Sequence, residues 1–201
     1  MDATANRRIE HSSLSGPFVR GVRGSLIVSS LATLRDLSLF DRYQRVIDPE
    51  VLAPLQFAIA STWLPVELAM AHYAACDALK LTEVQMKDIG EHVSEKLVST
   101  FWGAALREAR KAGAAVPYDI ALKQYGSMWD RIFQGGSSTV EELGHKDARI
   151  HARGLPMVRY RYFQVAYVGL IRGAAMMFFR ACHVKVERIT DDQLTVLVSW
   201  V

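Results

Sequence analysis

The sequence predicts an α+β fold: a helical N-terminal half packed on a four-stranded antiparallel sheet made of two hairpins separated by a long helix. Three observations carry that prediction. Apolar residues recur at helical spacing through much of 25–133, two pairs of alternating segments lie at 137–152 and 182–200, and the stretch between those pairs is apolar almost all round.

The chain has 201 residues, of which 50% are hydrophobic, enough for one generous core without disulfides or metals to staple it. A net charge of +3 is mild. Cys76 and Cys182 stand far apart with no CxxC spacing, which suits a reducing compartment and makes no zinc site. Residues 1–16 are polar, lack the apolar core of a signal peptide, and are expected to form a flexible tail before a single domain at 17–201. A cytoplasmic protein with no transmembrane segment is expected.

In order, Leu26, Ile27, Leu31 and Leu34 place a helix at 25–37, and a short helical segment follows at 41–47. Asp48-Pro49-Glu50 is a helix start, with an acceptor at the N-cap, proline in the first turn and an acid at the positive end of the dipole. Pro54 breaks or restarts that helix. Leu64 and Pro65 end the run, and 65–79 is the next helix. Thr82 with Gln85 forms a capping box that opens a helical region through Arg110, weakened at Gly90 and Gly103. A further helix spans 117–133, stopped by Gly135 and Gly136.

Strands are expected at 137–143 and 148–152, joined through Gly144 to Asp147. Pro156 then opens the long helix, 157–180, whose longest uncharged run, 162–171, falls well short of the ~20 residues needed to span a bilayer. Gly169 and Gly173 lie on one side of it, a small-residue stripe read as tight packing on the sheet in preference to a dimer seam. Cys182, Val184 and Val186 alternate with His183, Lys185 and Glu187, and after a polar turn Leu194, Val196, Val198 and Trp200 alternate to the end of the chain.

Gly21-Val22-Arg23-Gly24-Ser25-Leu26, Thr62-Trp63-Leu64-Pro65, Tyr162-Phe163 and Gly169-Leu170-Ile171-Arg172-Gly173 carry a family resemblance over 18–201. Their order resembles the superfamily uniting the haem nitric-oxide-binding (H-NOX) sensors, vinyl-reductase-type ligand-binding domains and small subunits of the Golgi transport-protein-particle complex. Within it the chain most resembles a large paralogous family of myxobacterial proteins. The resemblance implies a binding or assembly module, often dimeric. Haem is not expected, because the helix at 117–133 has no histidine and Ile150-His151-Ala152-Arg153-Gly154 does not match the Tyr-x-Ser-x-Arg propionate clamp; His92 and His145 are the nearest substitutes. Cys182 alone cannot rebuild the cysteine-rich metal site of vinyl-reductase-type domains. Cys76 is a positional analogue of an acylated cysteine in some transport-particle subunits, although a small residue on an apolar helix face reads first as core.

Catalytic signatures are missing: there is no Gly-x-Ser-x-Gly elbow, no Gly-x-Gly-x-x-Gly and no Walker loop. Glu91, His92 and Glu95 read as a solvated helix face, without a second histidine to make a metal site. Lys146, Arg149, Arg153, Arg159 and Arg161 read as the solvated rim of the sheet, and no nucleic-acid partner is expected. The sequence thus predicts a non-enzymatic cytoplasmic sensory or regulatory module, without cofactor or metal, that binds a small apolar or acyl ligand. The expected site comprises Trp63, His72, Tyr73, Cys76, Phe163, Tyr167, Arg172 and Met176. The alternative is a protein-interaction subunit like those of the transport particle. A homodimer or a protein partner is expected.

Overall fold

The last helix lies between the helical half and a five-stranded antiparallel sheet, so both candidate binding regions are built on it. The computed structural model describes residues 8–12, 16–101, 125 and 128–201. Its helical half comprises α1 (Gly24–Asp36), α2 (Phe40–Gln44), α3 (Pro49–Gln56), α4 (Val66–Ala78) and α5 (Glu83–Phe101). Local chemistry sets several boundaries. Asp48 Oδ1 accepts from the Glu50 amide at 2.8 Å to open α3, and the Thr82–Gln85 capping box forms as expected, with Gln85 N donating to Thr82 Oγ1 at 3.3 Å. Pro54 lies within α3 and does not break it, since the Glu50 carbonyl it leaves unpaired is on an exposed residue that water can serve. Most of the helix expected at 117–133 lies outside the described residues; Tyr125 and 128–132 are helical.

The two expected hairpins are β5 (Ser137–Gly144) with β6 (Asp147–Arg153), and β7 (Cys182–Ile189) with β8 (Gln193–Trp200). Their order in the sheet is β5-β6-β8-β7, which places the second strand of each hairpin at the centre. Val140, Ala148, Ile150, Val184, Val196 and Val198 face inward and are buried. The outer face carries Arg149 on β6, which donates to Glu141 on β5 at 2.9 Å and, across β8, to Glu187 on β7 at 2.6 Å.

Two groups of strands depart from the sequence reading. Arg8–Ser12, expected in a flexible tail, forms β1 and pairs with β5 as a fifth strand, with Ile9 opposite Val140 and packed on the core. Gly21–Arg23 (β2), Trp63–Pro65 (β3) and Phe133–Gln134 (β4) form a second, three-stranded sheet at the end of the helical half. Segments this short have no period to read.

The long helix is also shorter than 157–180. Pro156–Arg159 is a 3-10 turn, Tyr160 is extended, and the helix proper, α6, is Arg161–Ala175. Its first turn is capped from another element: Asp77 at the end of α4 accepts from the Tyr162 amide at 2.8 Å. The small-residue stripe packs on α5, not on the sheet. A methyl group at Gly90 would strike the Ala166 carbonyl, and one at Gly169 would strike the Lys87 carbonyl, so the two backbones touch at these glycines. Arg172 and Glu91 close the same seam with a short ion pair.

Candidate functional site

Tyr43, on α2, points its hydroxyl at His72 Nδ1 from 2.8 Å, while Ser30 Oγ on α1 lies 2.9 Å from His72 Nε2 and Cys76 Sγ lies 3.7 Å from the same nitrogen. His72 is 0% exposed, and burial lowers its pKa to about 3. The ring is therefore neutral, with one nitrogen donating and the other accepting, and hydroxyls on both sides can supply either role. Burial likewise pushes the phenols of Tyr43, Tyr73 and Tyr162 and the Cys76 thiol upward, so the whole cluster is uncharged at neutral pH.

In front of this cluster lies a cavity of about 30 Å³ between α1, α4, α5 and α6, walled by Ser30, Tyr73, Phe133, Tyr162, Phe163 and Tyr167 among others. Phe163 meets Tyr73 edge-on at 4.9 Å and stacks obliquely on Tyr167 at 5.6 Å. A second cavity, of about 50 Å³, lies between α6 and the sheet, lined by Met128, Ile171, Phe178, Phe179 and Trp200 among other apolar residues. Tyr125 lines the second cavity and Tyr167 the first, and their hydroxyls are 2.5 Å apart. Both phenols are pushed upward by burial and remain neutral.

Of the expected site residues, Tyr73, Phe163 and Tyr167 converge on the first cavity, with His72 and Cys76 one layer behind them. Trp63, Arg172 and Met176 do not join them. Trp63 sits on β3 under the Arg23 guanidinium at 4.2 Å, Arg172 is paired with Glu91 on the α5 seam, and Met176 follows the end of α6. The sequence reading missed Ser30, Tyr43, Tyr125 and Tyr162. Tyr162 could have been found, because it stands one helical turn before Ala166 on the face carrying the small residues. Ser30 and Tyr43 gave no such signal.

The first cavity sits between helices of the N-terminal half and a helix bracketed by two hairpins; the fold that frames it is matched by solved structures. A point variant of the H-NOX protein from K. algicida, in the unliganded Fe(II) state, superposes with a TM-score of 0.62 at 11% identity, over 89% of this chain and 96% of that one. The chain has the H-NOX fold. A variant of the T. tengcongensis H-NOX gives 0.53 at 15% identity over 89% and 97%, and an oxygen-binding H-NOX domain related to soluble guanylate cyclases gives 0.51 at 16% over 89% and 94%. No protein-family model and no curated protein sequence matches the chain.

Haem, which the H-NOX fold suggests, does not fit the described residues. Its iron takes an imidazole, a thiolate, a phenolate or a methionine with a histidine. Both His72 nitrogens are engaged; His92 Nδ1 lies 2.7 Å from the Asp88 carbonyl on an exposed face, and His151 bonds Thr195 on the outer sheet face. His145 and His183 are exposed, and His11 belongs to edge strand β1. The buried thiol and phenols are held protonated. The two cavities also fall far below the ~300–1,000 Å³ of cofactor pockets. Among the described residues no group of three or more His, Cys, Asp or Glu side chains could hold a metal, and no helix is long and apolar enough to cross a membrane.

Proposed function

We propose that this protein is a non-enzymatic sensory or regulatory module of the H-NOX fold that binds a small apolar ligand other than haem, with Tyr73, Phe163 and Tyr167 as the ligand-facing residues and His72 and Cys76 behind them. One observation carries the reading: aromatic side chains from α4 and α6 meet around an apolar cavity backed by a buried, uncharged cluster of hydroxyls and imidazole. Such a lining, apolar with a few placed polar groups, is what small-molecule sites have in common. The solved H-NOX structures, among them an oxygen-binding domain related to soluble guanylate cyclases, lend the fold a precedent for binding a small ligand. A cytoplasmic setting is part of the proposal, consistent with two free cysteines.

The test is mass spectrometry of freshly purified protein under native and denaturing conditions. Extra mass lost on denaturation is the expected result, and a bare mass in both runs would overturn the reading. A second reading, an assembly subunit working as a homodimer or with another protein, is favoured by the loop after α3, where Phe57 is 83% and Ile59 63% exposed. The native run tests it directly, since an assembly would appear there at a multiple of the chain mass or with a partner.

A further inference from the structure

The Tyr162 side chain is 1% exposed, and its hydroxyl, with Ser30 and Cys76 as its polar neighbours, makes no hydrogen bond of full geometry among the described residues. Buried hydroxyls of this kind carry a desolvation cost of about 1–3 kcal/mol unless something satisfies them. Ser25, Ser94, Ser138 and Thr190 share that condition, but none of them lines either cavity, whereas Tyr162 does. Ser30 lines the same cavity, and its hydroxyl, already 2.9 Å from His72 Nε2, retains further hydrogen-bonding capacity. Tyr73, Phe163 and Tyr167 line it as described above, and Leu26, Ile89 and Leu170 are among the aliphatic residues that complete its walls.

The geometry points to a polar subsite in the first cavity, in which Tyr162 Oη donates to, and Ser30 Oγ contacts, the single neutral carbonyl or hydroxyl group of an otherwise apolar ligand. This assignment rests on the ligand-binding reading above and adds to it the chemical class of the ligand. Charge is excluded by the surroundings. Of the two cations on α6, Arg161 is exposed and faces Glu83 at 3.8 Å, and Arg172 is held by Glu91 at the α5 seam. His72, behind the wall, is neutral, and among the described residues every polar side chain lining the cavity is a hydroxyl, so a carboxylate would enter with no cation to balance it. A cavity of about 30 Å³ accommodates about two waters, or the polar end of a larger molecule whose body displaces the aromatic walls.

Three probes of three heavy atoms each separate the possibilities: formamide, neutral with a carbonyl; formate, its anionic isostere; and propane, with no polar group. Each is titrated into the full chain while backbone amide NMR shifts are followed, with Ser30, Gly90 and Tyr162 reporting on the cavity. Formamide should give saturable shifts confined to these and neighbouring amides, formate should give none, and Tyr162→Phe, which keeps the ring in the wall, should weaken formamide about tenfold, or ~1.4 kcal/mol. Equal binding of formate, or formamide affinity unchanged in Tyr162→Phe, overturns the subsite. Saturable propane binding without formamide binding also overturns it while leaving the apolar-ligand reading intact. Silence from all three probes counts against both.

Discussion

Tyr125 and Tyr167 place their hydroxyls 2.5 Å apart across the wall between the two apolar cavities. Tyr125→Phe alone leaves the buried Tyr167 phenol unpaired and should cost about 1–3 kcal/mol, whereas Tyr167→Phe leaves Tyr125 with Ser138 as a neighbour and should cost less. The double variant removes both members and should cost less than the sum of the singles. Urea denaturation of the four proteins measures the coupling, and strict additivity would mean the two hydroxyls do not depend on each other.

His72 makes stability depend on acid. Folded His72 stays neutral down to about pH 3, whereas in the unfolded chain it titrates near 6.5, so the unfolded state takes up the proton first. The contribution is complete above pH 6.5 and is lost progressively as pH falls towards 3, by at most about 5 kcal/mol. Urea midpoints from pH 7 to pH 4 should fall less steeply in His72→Gln than in the native chain. Parallel slopes would show that the carboxylates alone set the acid sensitivity.

The α5–α6 seam depends on glycine at two points. Gly90→Ala and Gly169→Ala each drive a methyl into a backbone carbonyl of the facing helix and should destabilise by about 1–3 kcal/mol or more. At Gly173 the nearest atom, Ser94 Cβ, would stand at 2.9 Å from the added methyl, farther than the carbonyl oxygens that face Gly90 and Gly169, so Gly173→Ala should be milder. Thermal unfolding of the three variants ranks them.

The cysteines should separate cleanly in alkylation. Cys76 is buried and Cys182 only partly so, and burial pushes both thiols upward. Iodoacetamide at pH 8 should label Cys182 in the folded protein and Cys76 only after denaturant is added, as read by peptide mass spectrometry. Rapid labelling of native Cys76 would require the α4 core to open far more often than its packing indicates.

Asp77 supplies the cap that α6 lacks locally. Asp77→Ala should cost about 0.5–2 kcal/mol, and Asp77→Asn, which retains an acceptor oxygen, should recover most of it. An equal loss in both would mean that charge near the helix start matters more than the hydrogen bond.

By itself the sequence determined what is written in periods and in neighbouring residues. The alternation of Cys182, Val184 and Val186, the Thr82–Gln85 box and the Asp48–Pro49 start specify strand, cap and helix because the groups involved lie within one turn or one pleat of each other. It also identified Tyr73, Phe163 and Tyr167 as aromatic material on inward-facing helix positions. Only the tertiary structure decided what meets across the core. The Tyr43–His72–Ser30 cluster, the Tyr125–Tyr167 pair and the Asp77 cap join residues from 29 to 85 positions apart. Arg172 turned to Glu91 instead of the cavity for the same reason: a long cation satisfies its charge with whichever carboxylate the packing of two helices brings within reach, and no local pattern records that choice.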